Sequence, residues 1–158
     1  DSSIGGKTGV NLPDGKNLVG AFWQPKAVVI DIELLKSLQE REITSAMGEV
    51  LKYGAILDRN LFELVAEELN DILNLSKPEL LIEVIGRCAK LKADVVVEDE
   101  REGGKRRILN FGHTIGHALE THFGFEILRH GEAVAYGMLA AGKLSNEDRR
   151  LKIEDFEL

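Results

Sequence analysis

Over residues 1 to 25 the apolar positions follow no period, and Gly5, Gly6, Gly9, Gly15 and Gly20 with Pro13 and Pro25 interrupt the backbone too often for a helix. This stretch reads as loop with room for a short hairpin. Ala27-Val28-Val29-Ile30-Asp31, a β-branched run bounded by Pro25 and an acid, predicts a buried strand. From there the period changes to three or four residues. Ile32 to Leu38, Glu42 to Tyr53 and Leu61 to Leu73 carry apolar stripes with acids opposite, so each predicts an amphipathic helix. Ser76-Lys77-Pro78-Glu79 reads as an N-cap with proline in the first turn, opening a long helix through Ile82, Ile85, Cys88 and Leu91 to about Val97. Asp99 to Arg107, with Gly103-Gly104, is a charged loop, and Gly112 to Phe123 and Gly131 to Leu144 supply two further helices. The expected fold is mainly α, with a domain boundary near Leu38 that divides residues 1–38 from 39–158.

Composition narrows this in a few places. The chain has 158 residues, enough for one core without disulfides, and 44% apolar with 30% charged residues is a globular rather than a disordered balance. A formal charge of -7 argues against a nucleic-acid partner, since phosphate contacts demand excess Lys and Arg. No segment reaches the roughly 18 apolar residues of a membrane span, so neither a membrane nor export is expected and a reducing cytoplasm fits. The single cysteine, Cys88, lies in an apolar helical stripe, where a small buried thiol is expected rather than a nucleophile. The chain opens without methionine inside a glycine-rich loop, and Asn146 to Leu158 is dense in charge, so the sequence reads as part of a longer polypeptide.

The chemistry-bearing residues concentrate late in the chain. All four histidines fall between His113 and His130. His113 and His117, four apart, share one helix face. His130 opens the next helix, and an antiparallel neighbour would return it to His113. Glu49, in Gly48-Glu49-Val50-Leu51-Lys52-Tyr53, is the candidate third ligand, with Lys52 one turn away as a phosphate or acid–base group. Two imidazoles and a carboxylate leave a position open, as in a catalytic zinc site. Each histidine alone reads as a capped or solvated residue, His122 above all, and His-x-x-x-His without an intervening Glu is a weak motif. Lys7, Lys16, Lys92 and Arg106, with Asn110 shortly before His113, suggest an anionic substrate carrying phosphate or carboxylate, although any one of them could be an ordinary solvated cation. Gly5-Gly6-Lys7-Thr8-Gly9 lacks the spacing of a P-loop, and no dinucleotide fingerprint occurs. The residues by themselves reach a metal-dependent enzyme acting on an anion.

Four segments in order then resemble the 3-dehydroquinate synthase family of sugar-phosphate cyclases: Asp1 to Asn11, Gly48 to Gly54, Leu109 to Ala118, and His130-Gly131-Glu132-Ala133-Val134. Gly20-Ala21-Phe22-Trp23-Gln24-Pro25 adds to the likeness, which runs to about Ser145. The resemblance implies a divalent metal, zinc or cobalt, on Glu49, His113 and His130. It implies NAD contacts at Lys7, Lys16 and Leu34-Leu35-Lys36-Ser37, with residues 1–38 as the end of an α/β NAD-binding domain and 39–158 as a helical metal- and substrate-binding domain. It also implies that Asp1, Asn17, Lys52, Lys92, Arg106, Asn110 and His117 surround substrate, that the substrate is a small phosphorylated sugar acid, and that the protein is a homodimer. Gly48 stands where the family has Ala, and Gln39 where it has Pro. A sibling cyclase, a polyol dehydrogenase of shared architecture and a non-catalytic metal-binding remnant remain as other readings.

Overall fold

A computed structural model describes residues 2–12 and 15–147, with the side chains at 11, 15–17 and 147 outside the described set. Asp1 lies outside it, as does the tail beyond residue 147. The glycine-rich opening is an antiparallel hairpin, β1 (Lys7–Leu12) and β2 (Gly15–Phe22), in register from Lys7 opposite Phe22 to Leu12 opposite Gly15, with an irregularity between Val10 and Leu12. Gly20 sits where a Cβ would lie 1.9 Å from the Thr8 carbonyl oxygen, so this part of the ribbon tolerates no side chain.

Residues 27–31, expected as a buried strand, form none. They carry no regular secondary structure and are exposed, Val29 at 92%. A β-branched run becomes a strand only when a neighbour accepts its backbone bonds, and among the described residues no third strand joins the hairpin. Ile32–Ser37 is a 3-10 turn instead of a helix, started by Asp31, whose side chain accepts from the Glu33 N–H.

The helical body comprises α1 (Glu40–Leu57), α2 (Arg59–Glu67), α3 (Leu69–Leu73), α4 (Pro78–Glu98), α5 (His113–His122) and α6 (His130–Glu147). The stripe expected as one helix over 61–73 is broken into α2 and α3 at Glu68. Asp58 caps α2 by accepting from the Leu61 N–H at 3.0 Å, and Arg87 of α4 binds the other Asp58 oxygen at 2.8 Å. Pro78 opens α4 as expected, but the cap position is Lys77; the Ser76 hydroxyl donates to Asp71. Met47, Tyr53, Leu61, Val65, Ile72, Leu81, Val84, Cys88, Val95 and Leu109 form the core among α1 to α4 and the 3-10 turn Lys105–Asn110. Burial pushes the Cys88 thiol up to about 11, which keeps it protonated and unreactive.

The hairpin is tied to this body through polar contacts. Arg106 donates to the Gly5 carbonyl at 2.8 Å, Gln24 donates to Glu100 at 3.1 Å, and Lys7 pairs with Glu102. No helix among the described residues is long and apolar enough to cross a membrane.

Candidate metal centre and anion-binding cluster

Three helices meet at the site because their backbones can nearly touch. A Cβ on Gly131 would stand 1.8 Å from the Ser45 carbonyl oxygen, and one on Gly137 would stand 1.9 Å from the Gly112 carbonyl oxygen. These two positions set the crossings of α6 with α1 and with the N-terminus of α5. The antiparallel run of α5 along α6 then places Gly116 against Ala133 and Glu120 beside His130. At the start of α6, Glu132 accepts the Arg129 N–H at 2.9 Å and is gripped twice by Arg41, at 2.7 and 2.8 Å. That guanidinium holds the Glu132 carboxyl down to about 2.

These crossings bring Glu49 of α1, His113 of α5 and His130 of α6 together. Glu49 Oε1 lies 3.6 Å from His113 Nε2 and 3.7 Å from His130 Nε2, and the three donor atoms fall within 4.8 Å of one another. Glu49 Oε2 receives the Lys52 ammonium at 2.6 Å, whereas Oε1 is buried with no hydrogen-bond partner. A buried carboxylate oxygen without a donor is costly unless a cation occupies the space before it. His113 turns Nδ1 to the Phe111 carbonyl at 3.2 Å, which presents Nε2 inward as a lone pair. The donor set and the orphaned oxygen therefore fit a divalent metal. Burial works to raise the Glu49 carboxyl, but Lys52 and the two imidazoles override it and hold the group below its ordinary value. Burial, then Lys52, lowers the His113 imidazole, keeping it in the neutral form a ligand needs.

The remaining expected residues divide. His117 joins the cluster, its ring 5.3 Å from that of His113 and stacked on that of His130 at 5.9 Å, with most of its edge exposed. Lys52 is almost fully buried beside Tyr53. Burial, then the proximity of Lys52, draws the Lys92 ammonium down to about 8, with Arg106 and Lys7 acting in the same direction, so these four cations share one region. Arg106, 3% exposed, spends its guanidinium on main-chain carbonyls of Gly5 and Glu100, which gives it an anchoring task that the sequence does not reveal. Asn110 belongs to the 3-10 turn rather than to the helix of His113, and donates to Glu102 at 2.7 Å. Glu102, at a φ of 61°, thus holds both Lys7 and Asn110. A groove of about 550 Å³ opens there, lined by Glu102, Arg107, Ile108, Asn110, Phe111 and Thr114.

Leu34-Leu35-Lys36-Ser37 lies on the surface turn: Leu34 is exposed, Leu35 packs on the core, Lys36 pairs with Glu33, and Ser37 donates to the Leu34 carbonyl. This segment makes no hydrogen bond or ion pair with the cluster among the described residues. Asp1 and the side chains of Lys16 and Asn17 lie outside the described residues. Two acids went unnoticed in the sequence, Glu102 and Glu120. Nothing local marks Glu102, but Glu120 stands three residues after His117 and seven after His113, on the face that carries the imidazoles.

The likeness of the chain to known proteins runs through both sequence and fold. The chain belongs to the 3-dehydroquinate synthase family: residues 1–45 match its N-terminal part and residues 46–157 its C-terminal part. It is 54% identical over 158 residues to the 3-dehydroquinate synthase of Nostoc punctiforme and 56% identical over 146 residues to that of Rippkaea orientalis, matching 99% and 92% of this chain. It spans 44% and 40% of the lengths of these two relatives. Among solved structures, 2-epi-5-epi-valiolone synthase of Streptomyces hygroscopicus subsp. jinggangensis, with NAD+ and Zn2+ bound, superposes with a TM-score of 0.84 at 27% identity over 94% of this chain and 41% of its own. A 2-deoxy-scyllo-inosose synthase complexed with carbaglucose-6-phosphate, NAD+ and Co2+ gives 0.83 at 36% identity, over 94% and 40%.

Proposed function

We propose that this chain is the metal- and substrate-binding portion of an enzyme that converts 3-deoxy-D-arabino-heptulosonate 7-phosphate to 3-dehydroquinate and phosphate. The observation that carries the reading is the unpartnered Glu49 Oε1 facing two imidazole Nε2 atoms, beside a buried group of Lys and Arg. Identities of 54–56% to 3-dehydroquinate synthases, against 27–36% to the sibling cyclases, favour this substrate over theirs.

Glu49, His113 and His130 would hold the metal, zinc or cobalt. When bound, the metal supplies a Lewis acid and NAD a reversible hydride acceptor. In the proposed conversion that chemistry would acidify the carbon-bound proton beside substrate carbon 5, so that phosphate could leave by β-elimination ahead of ring opening and an intramolecular aldol closure. The chain's own residues mainly position and screen charge. Lys52 fixes the Glu49 carboxylate and adds positive potential; Lys92 and Arg106 extend that potential; Asn110 and the exposed edge of His117 offer hydrogen-bonding groups for substrate oxygens. Preorganised cations of this kind favour the developing phosphate dianion. Asp1 and Asn17 are assigned to substrate, and Lys7, Lys16 and residues 34–37 to NAD, on family resemblance alone.

We place the division between an NAD-binding part and the helical part at residues 38 and 39, because α1 is continuous from Glu40. The resemblance extends the reading to a cytoplasmic homodimer. Residues 1–158 by themselves are expected not to turn over.

The test is the whole protein incubated with 3-deoxy-D-arabino-heptulosonate 7-phosphate, NAD and zinc. Phosphate and 3-dehydroquinate should appear in equal amounts and only with both cofactors. Turnover of another sugar phosphate in preference to this one would move the assignment to a sibling activity.

A further inference from the structure

Glu120 is a buried acid, 7% exposed, that the metal-site reading leaves without a task. Its carboxylate lies 3.4 Å from His130 Nδ1 through either oxygen and 4.0 Å from His117 Nε2; among the described residues it meets no Lys or Arg. A carboxylate withdrawn from water in this way needs a compensating cation or donor. His130 offers one on the side facing away from Glu49, because its Nε2 points to Glu49 Oε1 at 3.7 Å.

We propose that Glu120 is a positioning residue for the metal centre, accepting the Nδ1 proton of His130 so that the ring is held with Nε2 as the ligating lone pair. This inference rests on the metal-site reading above. It matches the treatment of the other imidazole, where the Phe111 carbonyl takes the Nδ1 side of His113 and leaves Nε2 inward. The two rings thus receive the same tautomer from different acceptors, one a backbone carbonyl and one a carboxylate. A carboxylate backing a metal-bound imidazole raises its basicity and fixes its orientation.

The same three groups, His117, Glu120 and His130, also lie close enough to hold an ion themselves. Both sites could be filled at once only if His130 lost both ring protons and bridged as an imidazolate. With Nε2 committed toward Glu49, the proton on Nδ1 makes Glu120 its acceptor. The geometry of α5 explains how the acid arrives there. His113, His117 and Glu120 follow at spacings of four and three, and the antiparallel packing on α6 sets the last of them against the first residue of α6.

The test uses the whole protein, loaded with zinc or cobalt, and compares wild type with Glu120→Gln and Glu49→Ala. Glu120→Gln keeps the shape, so folding should survive, and zinc affinity measured by chelator competition should fall about 10- to 100-fold. In the zinc-loaded wild type the 15N–1H spectrum should show a proton on His130 Nδ1, with its resonance displaced in Glu120→Gln; the cobalt absorption spectrum should change as well. A purely structural acid would move neither signal. Unchanged zinc affinity in Glu120→Gln, with metal lost in Glu49→Ala, overturns the role of Glu120 and leaves the centre standing. A second equivalent of zinc bound by wild type and lost in Glu120→Gln also overturns it. Metal retained by Glu49→Ala would instead remove the centre on which the inference depends.

Discussion

Gly137 gives the sharpest test of how the site is assembled. A methyl group there would lie 1.9 Å from the Gly112 carbonyl oxygen, 2.8 Å from its carbon and 2.9 Å from the Gly116 nitrogen. Ordinary contact begins near 3.4 Å, so Gly137→Ala forces α5 and α6 apart by about 1.5 Å, and the neighbours in the way are backbone atoms that cannot rotate aside. Overpacking of this kind costs about 1–3 kcal/mol. The displacement also falls on the turn that carries His113, whose Nε2 must stay near Glu49 Oε1 for a metal to bridge them. The same substitution at Gly86 is the control: this exposed residue of α4 has nothing within 4 Å of a Cβ, so alanine there should stabilise by about 0.5–1 kcal/mol through helix propensity and lost chain entropy. Urea denaturation of the two variants, with zinc titration of each, reads both effects. Gly137→Ala should lose stability and bind zinc at least 10-fold more weakly, while Gly86→Ala gains stability and binds normally. Zinc affinity of Gly137→Ala equal to wild type would refute the claim that this close crossing sets the ligand geometry.

Three other outcomes follow from the electrostatics. Glu49→Gln should abolish tight metal binding and, by leaving the buried Lys52 ammonium without its carboxylate, destabilise the metal-free protein by about 3 kcal/mol or more in a denaturant melt. Lys92, lowered by burial to about 8 in the folded state, binds fewer protons than the unfolded chain between that value and its ordinary 10.5. Metal-free wild type should therefore gain stability relative to Lys92→Met as pH rises through this window, and a constant difference between the two at pH 7.5 and 10 would contradict the burial of that charge. Removing the metal from wild type with a chelator should lower the denaturation midpoint, by about 2.7 kcal/mol equivalent when free zinc had stood at 100 times its dissociation constant; an unchanged midpoint would show that the folded chain does not bind the metal.

Much of the helical body was legible in the sequence because its determinants are local. Three-to-four spacing, Pro78 in a first turn and glycines at the loops placed α1, α4, α5 and α6 to within a few residues. That His113 and His117 share one helix face was legible too, since their spacing fixes it whatever surrounds them, and α5 carries both. The run 27–31 failed for the opposite reason: whether a β-branched segment becomes a strand depends on a partner elsewhere, and its own residues carry no record of that partner. The division of α2 from α3 and the 3-10 character of residues 32–37 likewise depend on how the turns pack and cap.

What the sequence determined by itself, then, was the inventory: helices with apolar faces, four histidines between positions 113 and 130, an acid one turn from a lysine, and scattered cations in an acidic chain. Tertiary structure decided which of these meet. It brought Glu49 to His113 and His130 across two crossings that admit only glycine, left one carboxylate oxygen buried without a donor, and turned Arg106 to the carbonyl of Gly5 far away in the chain. It also put Glu120 behind His130, a relation written in the distance between two helices. Periodicity fixes which face a residue occupies, but the approach of one backbone to another depends on every side chain between them, and that is settled only when the chain has packed.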